Sequence, residues 1–227
     1  MNSNDLLSAL EARGTAQNRQ VFARHGVRPP LFGVSPAQLS ALAKPIGIDD
    51  LLACELWASG IHDARMLATR IADPARTRRP RVEAWIKDLD NHLLSAALAR
   101  LVSHSPDAAA IRRHFAPSPD EFASTLAWDL VAAAAGSGAG IDDAELERHL
   151  AAIAARIHER PSRTRHAMNG ALIAIGLRSA DWRRRALAVA KAIGEVVVDH
   201  GETNCTTPCA VEALRRAARH RSSRSPA

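Results

Sequence analysis

Apolar residues along this chain recur at helical spacing and rarely alternate. Leu39, Leu42, Ala43 and Ile46 fall at i, i+3, i+4 and i+7. The same stripe returns in Leu52 and Leu56, in Leu93, Leu94, Leu98 and Leu101, and in Leu146, Leu150, Ile153 and Ile157. Each stripe predicts an amphipathic helix with one face to bury. Start signals agree: "SPAQ" at Ser35 and "SPDE" at Ser118 each offer a serine N-cap, a proline at the first helical position and Gln38 or Glu121 to close a capping box. Stops are expected at Gly14, Gly26, Gly47, Gly60, Gly176 and Gly194, where a left-handed residue past the helix end favours glycine. The pattern predicts an all-α protein of about twelve helices, each roughly 9 to 17 residues long, with short connections.

Short antiparallel helix pairs in series predict an α-solenoid, in which each pair covers its apolar face with the next. "GSGAG" (136–140) and "DPARTRRPR" (73–81) read as loops between repeats, because the apolar helices on either side need each other. One domain is expected over 1–219. A basic tail without an apolar face is expected over 220–227.

Composition narrows the function. The chain has 227 residues, 47% of them hydrophobic, enough to bury a real core. The opening "MNSNDLLSALEARG" does not read as a basic-then-apolar leader, and no apolar run reaches the roughly 18 residues a membrane span needs. A cytoplasmic protein, nucleoid-associated when on DNA, is therefore expected. Three cysteines, Cys54, Cys205 and Cys209, do not make a disulfide framework. The net charge is +6, and 27 of the 30 basic residues are arginine. Such a charge favours a polyanionic partner, nucleic acid foremost, through steering and counterion release. The histidines are scattered without ligand spacing, so neither metal nor cofactor is expected. Trp57, Trp85, Trp128 and Trp182 sit among aliphatics at helical spacing and read as core.

Four blocks carry a resemblance: "FGVSPAQLSALAKPIG", "LLACELWASGIHDARMLATRIADP", "PSRTRHAMNGALIAIG" and "KAIGEVVVDHGETNC". In this order, over about Phe22 to Val211, they resemble the DNA alkylation repair family, the AlkD-like HEAT-repeat alkylpurine DNA glycosylases and their relatives. The resemblance implies a curved solenoid of HEAT-like helix pairs whose basic concave face holds DNA by its backbone. It also implies, for active members, excision of cationic alkylated purines. A charged base is a good leaving group, so one carboxylate that stabilises the developing oxocarbenium ion is enough, with aromatic rings beside it for cation–π contact.

In active members a helix opens with tryptophan and carries an aspartate one turn later; the resemblance places His92 and Ala96 at those positions. The family's arginine falls near Thr125, and a later tryptophan near Gly170. Ala96 cannot ionise, and His92 to Leu101 contains no acid. A DNA-binding protein without base excision is the leading expectation, a monomer bound to duplex, damaged or branched DNA. Two alternatives are an active glycosylase using a displaced carboxylate (Asp88, Asp90 or Asp129) and a protein-binding scaffold.

Candidate phosphate contacts are Lys44, Arg65, Arg78, Arg79, Arg81, Arg163, Arg165, Arg183 and Arg184, with Arg185 completing the last run. Arg65 stands two residues from Asp63, so an internal salt bridge competes there. Successive arginines point in different directions on a helix, so only one or two of the run can reach a single partner. In "VVVDHGETNCTTPC" (196–209), Cys205 and Cys209 supply two ligands at most. The segment reads as an extended apolar cover, then a polar turn that closes the last repeat.

Overall fold

The structure, a computed structural model, describes residues 2–222. Among the described residues it contains thirteen α-helices, one 3-10 turn (Ile157–Glu159) and no strand. The chain divides into two compact units, one of residues up to 108 with 200–204, the other of the remainder.

The first unit holds α1 (Ser3–Glu11), α2 (Ala16–Arg24), α3 (Pro36–Ile46), α4 (Asp50–Ala58), α5 (His62–Ile71), α6 (Arg79–Ile86) and α7 (His92–Val102). Helices α3, α5 and α7 pack side by side, and α4 lies against α5. Of the predicted stripes, Ala43, Ile46 and Leu93 are half-buried, and Leu39, Leu42, Leu52, Leu56, Leu94, Leu98 and Leu101 are buried, joined in the core by Leu67 and Ile71. Each buried side chain contributes about 1.5–3 kcal/mol by leaving water. Trp57 and Trp85 stack at 4.1 Å within this core.

The second unit runs through α8 (Ala108–Phe115), α9 (Glu121–Ser137), α10 (Asp143–Arg156), α11 (Ser162–Gly176), α12 (Ala180–Ile193) and α13 (Ala210–Ser222). Helix α11 packs most extensively against α9 and also against α12 and α13, while α10 packs against α12 and α11. Leu146, Leu150, Ile153, Ile157, Met168, Leu172 and Ile175 fill the space between. The tail expected over 220–227 begins as helix through Ser222; residues 223–227 lie outside the described residues.

Side-chain caps fix many starts. Asn2, Thr15, Ser35, Asp49, Asn91, Asp120, Asp142 and Ser179 each accept a backbone N–H of the first turn. A cap of this kind stabilises a helix by about 1 kcal/mol. Ser35 closes its predicted box with Gln38. Ser118 does not cap α9. Asp120 takes that role, accepting from Ala123 at 2.8 Å, while the Ser118 hydroxyl accepts the Asp120 N–H. An ionised acid at the helix N-terminus outcompetes a hydroxyl.

Two of the six predicted stop glycines serve another purpose. A Cβ on Gly14 would sit 2.1 Å from the Phe32 carbonyl oxygen, and one on Gly176 would sit 2.5 Å from Leu214. Neither has a positive φ. They are glycine because another chain segment passes too close for a side chain.

Candidate nucleic-acid interface

Asn91 starts α7 by accepting the Leu94 N–H at 2.9 Å, so His92 stands at the first helical position. It is half-buried, its ring 5.8 Å from that of His25. One turn on comes Ala96, and one further turn brings Arg100 onto the same face. Ala96 and Arg100 line a cavity of about 640 Å³ in the first unit, with Phe22, His25, His62, Met66 and Arg70. Arg70, from α5, donates to the Ser40 hydroxyl at 2.8 Å. Burial and the neighbouring charge of Arg100 push its pKa down.

Two guanidiniums therefore share the wall on which the family's active members are expected to carry a carboxylate. Their field suits a phosphate. It opposes a developing oxocarbenium cation, since like charges repel.

The acids nearby are committed elsewhere. Asp63 is fully buried and accepts the backbone N–H groups of Phe32, Gly33 and Val34 at 2.6, 3.2 and 2.7 Å. Asp88 accepts the Trp57 indole N–H at 2.7 Å and pairs with Arg65 at 3.5 Å. Asp90 accepts from the Asn91 amide at 2.7 Å and is exposed. Asp129 lies half-buried in α9 of the second unit.

In the second unit, Thr125 is buried in α9 and donates to the Glu121 carbonyl at 2.7 Å. Gly170 is exposed on α11, and a Cβ there would meet nothing within 4 Å. Where the resemblance led one to expect a cation and an aromatic ring, this unit presents a hydroxyl bound to its own helix and an open surface.

The nine predicted phosphate contacts separate by what already holds them. Lys44 is exposed in the last turn of α3, with no ion pair among the described residues. Arg65 is bound internally by the Trp57 and Asp88 carbonyls at 3.3 and 3.1 Å and lies over the Trp57 ring. Its acidic partner is Asp88, not the Asp63 that sequence proximity offered. Arg81 grips Asp50 through two bonds of 2.6 and 3.0 Å. Arg165 donates to the carbonyls of Arg160 and Val197 at 2.6 and 3.0 Å. These three arginines already have partners within the fold.

Arg78 pairs with Asp107 at 2.9 Å and Arg79 with Glu83 at 2.6 Å, with side chains 59% and 40% exposed. Exposed pairs of this kind are weak and exchange readily for a phosphate. Arg163 is half-buried, and Glu121 accepts its backbone N–H at 2.8 Å. Arg183, Arg184 and Arg185 diverge as expected: the first is half-buried, the second pairs with Asp181, and the third joins Glu147 and Asp181 while lying over Trp182.

Arg70 and Arg100 were missed. Arg100 has a local signal, its i+4 spacing from Ala96. Arg70 has none, because its proximity arises only when α5 packs on α7.

The segment 196–209 straps α11. Ser162 accepts the Asp199 N–H at 2.6 Å, His166 meets Thr207 at 3.2 Å, and Asn169 donates to the Pro208 carbonyl at 2.9 Å. The expected apolar cover is only partial: Val196 packs against the second-unit core and Val198 is half-buried, while Val197 is 64% exposed. Hydrogen bonds hold the strap. Among the described residues, no group of three or more His, Cys, Asp or Glu could hold a metal ion. No described helix is long and apolar enough to cross a membrane.

Titration follows from burial. His62 and His149 are buried, and burial pushes both below the ordinary 6.5, outweighing Asp63 and Asp90 at one and Glu145 at the other. A depressed histidine contributes stability above 6.5 that is lost as pH falls through the folded value. Asp50 is lowered from 3.8, chiefly by its hydrogen bond to Arg81. At Glu145 burial acts upward, but Arg112 and His149 outweigh it and hold the carboxyl below 4.5. The urea midpoint is therefore expected to decline in two stages, first below about pH 6.5 and again below about pH 4.5. A midpoint unchanged between about pH 7 and pH 5.5 would count against the histidine assignment.

An all-helical array in each unit, with Arg70 and Arg100 on the cavity wall that carries Ala96, fits a helical-repeat protein of the alkylpurine glycosylase kind. The comparisons agree. The family model for DNA alkylation repair enzymes matches residues 6–216, and the chain belongs to that family. An uncharacterized protein of Listeria innocua is 26% identical over 218 residues, covering 93% of each chain. Another, of Listeria monocytogenes, is 25% identical over 219 residues, again covering 93% of each. A solved structure is similar at TM-score 0.89 and 26% identity, over 97% of this chain and 95% of that one. It is described as a new family of proteins related to the HEAT-like repeat DNA glycosylases with affinity for branched DNA structures. The fold is thus the HEAT-like repeat fold of those glycosylases.

Proposed function

We propose that this protein binds DNA, branched DNA in preference to linear duplex, through backbone phosphates and without excising a base. The observation that carries the reading is the wall of the first-unit cavity: it carries Ala96, which the resemblance aligns with the family's acid, and Arg70 and Arg100 beside it, while Asp63 and Asp88 nearby are engaged elsewhere. The affinity for branched DNA described for the similar structure supports it. Phosphate contacts fix position without reading sequence, so recognition rests on DNA shape and deformability. On this reading the protein works as a single monomeric domain on the nucleoid.

Fluorescence anisotropy with a labelled four-way junction and a linear duplex of equal length tests this. If about six phosphates are neutralised, doubling the salt weakens binding about fortyfold. Reversing charge in Arg70→Glu/Arg100→Glu is expected to weaken it by a further tenfold or so. Salt-independent binding, or none, would instead favour a protein-binding scaffold.

A further inference from the structure

A second cavity, of about 520 Å³, lies wholly within the second unit. Its rim carries Arg113 of α8, Arg148 and Arg156 of α10, and Arg160. Glu145 is the sole carboxylate of the lining, and it is held by the buried Arg112 at 2.8 Å. Arg113 reaches that same carboxylate only at 3.5 Å, and is 56% exposed. Arg148 and Arg156 are exposed and make no hydrogen bond or ion pair among the described residues. The rim is thus cationic, with its counter-charge already claimed.

The floor adds an independent observation. Trp128 is 2% exposed and lies edge-on to His149, ring centroids 5.2 Å apart. Its indole N–H has no partner among the described residues, and neither does the Nε–H of Arg160. Both residues line this cavity, and both atoms can only donate. Buried donors left unpaired cost about 1–3 kcal/mol each, and acceptor atoms of a ligand would remove that cost. Met168, Ala152 and Ala116 make the remaining wall apolar. A bare anion would leave that wall wet; pockets of this size and lining hold organic ligands fixed by a few polar groups.

We propose that this cavity is a ligand site for a nucleotide, its phosphate held by Arg113, Arg148 and Arg156 and its flat heterocycle set against Trp128 and His149. The site is separate from the Arg70 and Arg100 wall and does not rest on it. A free mononucleotide and the 5′-terminal nucleotide of a DNA strand offer the same chemistry, so both are tested.

Calorimetric titration of the full chain would use deoxyadenosine monophosphate, deoxyadenosine, and a short single strand with and without a 5′-phosphate. The indole N–H resonance of Trp128 would be followed in parallel. Saturable binding of the mononucleotide is expected to weaken at least about tenfold without the phosphate, and as much in Arg148→Glu/Arg156→Glu. Binding of the 5′-phosphorylated strand alone, with the same dependence, assigns the source to a strand end. The exchanged arginines have no internal partner, so unchanged far-UV circular dichroism is expected. No saturable binding of either probe, or binding undiminished in the double variant, overturns the site. So does an equal loss of binding to duplex with 5′-hydroxyl ends, which would make the two arginines general backbone contacts.

Discussion

Replacing Glu145 by alanine is expected to destabilise the protein by about 3–5 kcal/mol, read as a lower urea midpoint. Arg112 beneath it is 2% exposed, donates its Nε–H to Glu145 at 2.8 Å, and donates an Nη2–H to the Gly140 carbonyl at 2.7 Å. Removing the carboxylate leaves a guanidinium charge buried with one neutral acceptor. His149 loses its partner at 3.4 Å as well. The cost therefore reflects an orphaned charge more than a lost attraction. Replacing both charges with apolar residues, as in Arg112→Met/Glu145→Leu, is expected to recover most of the loss. If the single variant matched the wild type within about 1 kcal/mol, Arg112 would have to be hydrated in a way its burial does not allow.

The Asp63→Ala change is expected to be comparably severe, about 3–5 kcal/mol. One buried carboxylate accepts three consecutive backbone N–H groups, which pins the loop between α2 and α3 to the start of α5. Without it, three amides remain buried with no acceptor in reach. Asp63→Asn keeps the volume but halves the acceptor capacity, and an intermediate loss is expected. Native-state hydrogen exchange of Phe32, Gly33 and Val34 reads the effect locally: these amides are protected in the wild type and exchange with the solvent in the alanine variant. Protection surviving the change would show that something other than Asp63 holds the loop.

Much of this architecture was legible in the sequence because it is written in local terms. Apolar stripes such as Leu146, Leu150, Ile153 and Ile157 need only a helical period to be read, and all four are buried as predicted. The four tryptophans read as core are between 2% and 7% exposed. Local signals misled where two residues competed for one role. Ser118 gave way to Asp120 as the cap of α9, and Gly14 and Gly176 proved to be close-approach positions.

The site was legible only in part. The resemblance pointed to Ala96, and helical spacing could have pointed to Arg100 on the same cavity wall. Arg70 belongs to a different helix, and only packing reveals it. The candidate arginines were chosen from chain position, which carries no information about acids far along the chain. Asp88 and Asp50, which claim Arg65 and Arg81, lie 23 and 31 residues from those partners. Asp63 shows the reverse case. It looked like a salt-bridge partner for the neighbouring Arg65 and is the buried anchor of a loop.

The central claim is that this family member holds DNA but does not cut the glycosidic bond. The most direct test is a single-turnover excision assay on duplex containing 7-methylguanine, with the protein in excess and the complex confirmed by anisotropy in the same tube. Base release at the rate of the protein-free duplex, with the DNA fully bound, is the predicted result. Release above that rate would contradict the account and return the search to Asp88, Asp90 and Asp129.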